Sequence, residues 1–163
     1  MSSSGELTKD AAELAEAISE RVQESGQSVA AAESLTSGNI ASHLGAAPQA
    51  SEWFAGGVVA YASQVKFEVL GVEPGPVVTA QAARQMAAGV ARLTGADVAV
   101  ATTGAGGPDP QDGQEPGTVF IGVSSPGGVH ATEHHFDGEP ADVVHASTVA
   151  ALQHLLDALS RPE

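Results

Sequence analysis

The chain has 163 residues, a formal net charge of −14 from 6 Lys and Arg against 20 Asp and Glu, and no cysteine. That length suits a single domain with an ordinary core, while the missing cysteines remove thiol nucleophiles, thiolate zinc sites and any disulfide framework. The acidity argues against a nucleic-acid partner, whose phosphates are held mainly by Lys and Arg.

Residues 1–6 are rich in Ser and Gly and are predicted to form a disordered tail ahead of one domain over 7–160. The opening MSSSGELTKD lacks the basic start and apolar core of a secretion signal, and no apolar run approaches the roughly 20 residues of a membrane helix, so a cytoplasmic protein with no membrane partner is expected. From Leu7 the positions Ala11, Leu14, Ala15, Ile18 and Val22 recur at helical spacing up to Gly26. SVAAAES reads as a strand, TSGNIASHLGAAP as a capped helix, GGVVAYA as a strand and SQVKFEVLGV as a short helix ending at Gly71. Thr79 is placed to cap a helix running to Gly95. ADVAVATTG follows as a strand apolar enough to be buried on both faces. A Gly/Pro/Asp-rich loop over 104–116 leads into an antiparallel hairpin, TVFIGVS and VHATEHHF. The last helix spans about Ala141 to Leu159, with Val144, Thr148, Ala151 and Leu155 expected on its inner face. The alternation of strands and helices predicts a three-layer α/β/α sandwich with a mixed, mostly parallel central sheet.

Three handovers from strand to loop carry small polar residues: AESLTSG, GGVVAYASQVK and ATTGAGGPDP. Ligands of open α/β sheets bind beyond the carboxyl ends of the strands, so one crevice can collect all three. Ser34, with Thr36, Ser37 and Gly38 behind it, is either an ordinary helix cap or a nucleophile beside backbone amides able to hold an oxyanion. Lys66 is the only cation between Arg21 and Arg84. It is either a solvated surface lysine or, if desolvated and neutral, a base able to activate a serine. Tyr61, the single tyrosine, can orient the lysine, stack on a ring or fill the edge of the core. Thr102, Thr103, Gly104 and Gly106 offer hydroxyls and amides to an anion or a planar amide, though the loop lacks a Walker ending and a dinucleotide fingerprint. His134 and His135 point to opposite faces of a strand that is expected to be solvated, and His43, His145 and His154 are scattered, so no metal is assigned.

Taken together, the three segments resemble the CinA C-terminal domain family, which includes stand-alone nicotinamide mononucleotide amidohydrolases (deamidases). The first matches A-E-S-x-T-x-G. The second places Tyr61, Lys66, Leu70, Gly71 and Val72 in register. The third reads TGAGGPD followed by Gly117, Thr118 and Val119. The resemblance implies deamidation of nicotinamide mononucleotide to nicotinate mononucleotide and ammonia, without cofactor or metal, by a homo-oligomer. It also implies Ser34 as nucleophile and Lys66 as base, with Tyr61 and the threonine loop positioning them. CinA-type domains also occur fused to a larger N-terminal domain and are linked to competence and DNA-damage responses, so a non-catalytic nucleotide-binding or interaction module is the alternative. The sequence departs from the family pattern where arginines are usual near the start of the last helix: GEPADVVH has Pro140 and Val144 there, and Gly106 replaces a usual alanine. If such an arginine holds the phosphate, loop amides or Arg84 or Arg92 from a neighbouring subunit would have to replace it.

Overall fold

A computed structural model of the chain describes residues 4–159. In chain order the elements are α1 (Ser4–Ser25), β1 (Val29–Glu33), α2 (Asn39–Gly45), α3 (Ala50–Trp53), β2 (Phe54–Val59), α4 (Ser63–Leu70), α5 (Ala80–Thr94), β3 (Val98–Gly104), β4 (Thr118–Ser125), β5 (Gly128–His135) and α6 (Pro140–Ala158). Helix α1 begins at Ser4, inside the stretch read as a tail; residues 1–3 of that stretch lie outside the described residues. The single turn α3 is an element that the sequence pattern did not signal.

The five strands form one sheet in the order β2-β1-β3-β4-β5. β1 pairs in parallel with β2 and β3, while β4 runs antiparallel to both β3 and β5. Four strands therefore share a direction and β4 opposes them, which is the mixed sheet that the predicted hairpin requires.

Period-two alternation along β1 and β3 feeds two separate cores. Val29 and Ala31, with Val98 and Val100, face one layer, where Ile18 and Val22 of α1, Ile40 and Leu44 of α2 and Leu152 and Leu155 of α6 pack. Ala30, Ala32, Ala99 and Ala101 face the other, against Leu70 of α4 and Met86, Ala87 and Val90 of α5. The second face is nearly all alanine, so α5 lies very close to its neighbours. A Cβ at Gly122 of β4 would fall 2.2 Å from Ala83 O, and one at Gly89 of α5 would fall 2.0 Å from Leu70 O. Glycine is required at both contacts.

The predicted cap of α5 is present: Thr79 Oγ1 accepts from Ala82 N at 3.0 Å. On α6 the buried positions are Val143, Ser147, Thr148, Ala151, Leu152 and Leu155. Thr148, Ala151 and Leu155 thus lie inward as expected. Val144 instead lines a surface cleft, at the edge of an inward stripe that passes through Val143 and Ser147.

Candidate active site

The parallel strands β1, β2 and β3 end on the same side of the sheet, and their exits meet. Ala60 N, just past β2, donates to Glu33 O at 2.7 Å and holds the β2 exit against the end of β1. A cleft of about 340 Å³ opens there, with Ser34 and Leu35 from the first handover, Tyr61 from the second and Gly104 and Gly106 from the third on its walls. The remaining wall comes from the loop at Pro108 to Gln111 and from Pro140 and Val144 at the start of α6. The convergence anticipated from sequence is therefore present.

The segment after β1 differs from the expected helix start. Ser34 is a bend and residues 35–38 are turns, Ser37 and Gly38 have φ of 52° and 99°, and α2 begins only at Asn39. Neither Ser34, Thr36 nor Ser37 caps it. Glu33, only 1 % exposed, instead reaches forward, and its carboxylate accepts from Gly38 N (3.1 Å), Ile40 N (2.9 Å) and Ala41 N (2.8 Å). The positive end of α2 is thereby occupied by the protein's own carboxylate. Ser37 N and Asn39 N are also engaged, with Ser34 O and Thr36 O. The amides of Leu35 and Thr36 have no hydrogen-bond partner among the described residues.

Ser34 is 7 % exposed, and its hydroxyl makes no hydrogen bond among the described residues. Its amide donates to Thr102 Oγ1 at 3.4 Å, and Thr102 Oγ1 in turn lies 3.0 Å from Thr36 Oγ1. Thr103 Oγ1 donates to Val77 O at 2.7 Å on the opposite face of the sheet. Thr36, Thr102 and Thr103 are all buried and absent from the cleft wall. Their hydroxyls brace the handovers from behind. Ser37 is exposed, with Oγ 3.4 Å from Leu35 O, and Gly38 also lies off the wall.

Lys66 is the largest side chain among those fully buried, at 2 % exposure on α4. It is not a solvated surface lysine. Its Nζ donates to the backbone carbonyl of Tyr61 at 3.2 Å, so the amine is tied to the β2 exit while Tyr61 itself, 69 % exposed, lines the cleft. Ser34 Oγ and Lys66 Nζ are not hydrogen-bonded to each other. Burial pushes the Lys66 amine below the ordinary lysine value, and the carboxylate of Asp112 opposes that shift. Asp112 is itself fixed by the amides of Val77 (2.8 Å) and Val78 (3.1 Å).

This pairing predicts a pH effect. A nearby anion favours the ammonium form, so Asp112→Asn removes the upward influence while its amide oxygen can still accept from Val77 and Val78. The neutral fraction of Lys66 then increases at a given pH. The acid limb of any activity that needs the neutral amine is expected to move to lower pH in this variant, as read from the pH profile of kcat/KM.

Sequence reasoning missed Glu33 and Asp112, because each carboxylate serves amides at spacings that match no capping motif. It also treated the histidines as unconnected. His134 of β5 in fact stacks on Phe136 with ring centroids 5.2 Å apart, and its Nε2 lies 2.9 Å from His154 Nε2 of α6. Burial lowers the pKa of both rings. Among the described residues, no group of three or more His, Asp or Glu side chains could hold a metal ion, and no helix is long and apolar enough to cross a membrane.

The architecture and site define a class: mixed α/β/α sandwiches with a cleft where three parallel strands end, a serine on its wall and a buried lysine behind it. The chain belongs to the CinA C-terminal domain family, whose model matches residues 11–159. It is 42 % identical over 134 residues to a competence-damage inducible protein of Bacillus subtilis (strain 168), covering 79 % of this chain and 32 % of that protein. It is 39 % identical over 129 residues to a CinA-like protein of Frankia casuarinae, covering 76 % of this chain and 30 % of the relative. The chain thus spans about a third of the length of these relatives. Among solved structures, a CinA superfamily protein of Escherichia coli superposes with a TM-score of 0.88 at 32 % identity, covering 93 % of this chain and 92 % of the other.

Proposed function

We propose that the chain is an amidohydrolase that hydrolyses the carboxamide of a nicotinamide ribotide or a close relative of it. The reference reaction converts nicotinamide mononucleotide to nicotinate mononucleotide and ammonia. The observation that carries this reading is an unpartnered serine hydroxyl on the cleft wall beside a chain segment tethered to a desolvated lysine. In the scheme, Ser34 Oγ attacks the carboxamide carbon as its proton passes to neutral Lys66, directly or through one water. Such contacts are commonly long in an empty site and shorten when substrate binds. The Leu35 amide, unpartnered on the cleft wall, is an available donor for the oxyanion. Lys66 returns the proton to the departing ammonia, and water then hydrolyses the ester to release the carboxylate and restore Ser34. The scheme uses no metal or cofactor, and the reading carries with it a cytoplasmic homo-oligomer.

A second reading, a non-catalytic nucleotide-binding or interaction module, is favoured by Pro140 and Val144 standing on the cleft wall where arginines are usual in the family. Incubating the purified protein with nicotinamide mononucleotide, its nucleoside and free nicotinamide, and measuring ammonia, separates the two. Release from at least one of them supports the enzyme. No release from any of the three favours the module.

A further inference from the structure

We propose that the cleft selects the pyridinium nucleoside without its phosphate, so that an N-ribosyl nicotinamide binds more tightly than its 5′-phosphate. The inference deepens the amidohydrolase reading of the Ser34 cleft and rests on it for the identity of the pyridine carboxamide.

The argument starts from what a phosphate dianion would need. A stripped phosphate is held by Arg or Lys, by unpaired amides, or by an open helix N-terminus. Among the described residues no Lys or Arg lines this cleft, and the one charged side chain that does is Asp109. Lys66 lies behind the wall, with its amine already on Tyr61 O. Pro140 and Val144, one turn apart at the start of α6, complete the wall, and most donors of that helix end are taken. Pro140 has no N–H. Glu139 N donates to Asp142 Oδ2 at 2.9 Å, and Asp142 N and Val143 N donate to Glu139 O at 2.9 and 3.1 Å. The two carboxylates of this capping pair stand at the end of the helix that would otherwise attract an anion.

The same walls suit a cation. A pyridinium ring carries a positive charge, the exposed Tyr61 ring offers it a π face, and Asp109 offers a carboxylate. A chain of net charge −14 adds a long-range preference in the same direction. The nucleoside has a net charge of about +1 and the nucleotide about −1 near neutral pH, since a phosphate monoester has lost nearly two protons there. The formal charges that the described residues place on the cleft wall therefore favour the form without phosphate, and the unpaired amides of Leu35, Gly106 and Gly107 are the donors left to a phosphate there.

The test uses the full chain in its native assembly. Isothermal titration at low ionic strength gives Kd for nicotinamide riboside and for nicotinamide mononucleotide, and ammonia release is followed for both. The expected result is tighter binding of the riboside by about tenfold or more, a gap that narrows as salt is raised. Val144→Arg is expected to improve nucleotide affinity relative to riboside by about tenfold. If that variant fails to fold, Pro140→Arg places the cation one turn away on the same wall. Equal or tighter binding of the nucleotide by the wild type overturns the proposal, including the case in which Arg84 or Arg92 of a neighbouring copy supplies the missing cation. Absence of binding by either compound also overturns it. Preferential binding of the riboside without ammonia release supports the selectivity and removes the amidohydrolase reading, so the two failures are distinguishable.

Discussion

Ser34→Ala is expected to lower ammonia release by about a thousandfold or more, the scale seen when a covalent nucleophile is removed. The fold should not change. The hydroxyl has no hydrogen-bond partner among the described residues, so its loss orphans no donor or acceptor, and the backbone amide still reaches Thr102 Oγ1. Stability should therefore shift by less than about 0.5 kcal/mol. Rate measurement beside denaturant unfolding checks both halves: persistent activity, or activity lost only because the protein unfolds, removes Ser34 as nucleophile. Lys66→Met completes the comparison. Methionine fills most of the buried volume without an amine to desolvate, so this variant should lose activity while remaining at least as stable as the wild type.

The largest effect on stability is expected at Glu33. Replacing it with Ala removes a buried carboxylate that accepts from three amides and leaves Gly38 N, Ile40 N and Ala41 N competing for whatever water can enter. Hydrogen bonds to a charged group contribute more than neutral ones, and unsatisfied buried donors carry a further cost, so a loss of about 3–4 kcal/mol is expected. Glu33→Gln keeps the shape but turns an NH2 toward an amide N–H and should lose about 1–3 kcal/mol. Chemical denaturation of the two variants tests the ranking. If Gln proves worse than Ala, the carboxylate is not what holds the start of α2.

Much of the architecture was legible because periodicity and punctuation agreed. The three- and four-residue steps from Ala11 to Val22, the Thr79 cap and the glycines at 26, 71 and 95 each mark an element where the structure has one. The strand order was not legible, since pairing depends on contacts remote in sequence. At the site, sequence located the three handovers and singled out Ser34, Tyr61 and Lys66, because small polar residues and a lone cation stand out against an apolar, acidic background. It gave Thr102 and Thr103 a common task, although consecutive residues of a strand face opposite sides of the sheet. It also began a helix at Thr36, where left-handed backbone at Ser37 and Gly38 delays the first turn to Asn39. That displacement makes room for Glu33, and no local pattern announces a carboxylate reaching five to eight residues ahead.

The division of most of the interior between two clusters, one on each face of the sheet, bears on temperature. Ser34 leads into the helical layer of α1, α2 and α6, whereas Lys66 rides on α4 in the layer across the sheet. Their spacing thus depends on how those two layers register against the paired ends of β1 and β2, where Ala60 N donates to Glu33 O. Warming that loosens one layer relative to the other would part Ser34 from Lys66 before either cluster melts, so loss of any activity that needs the pair should run ahead of unfolding.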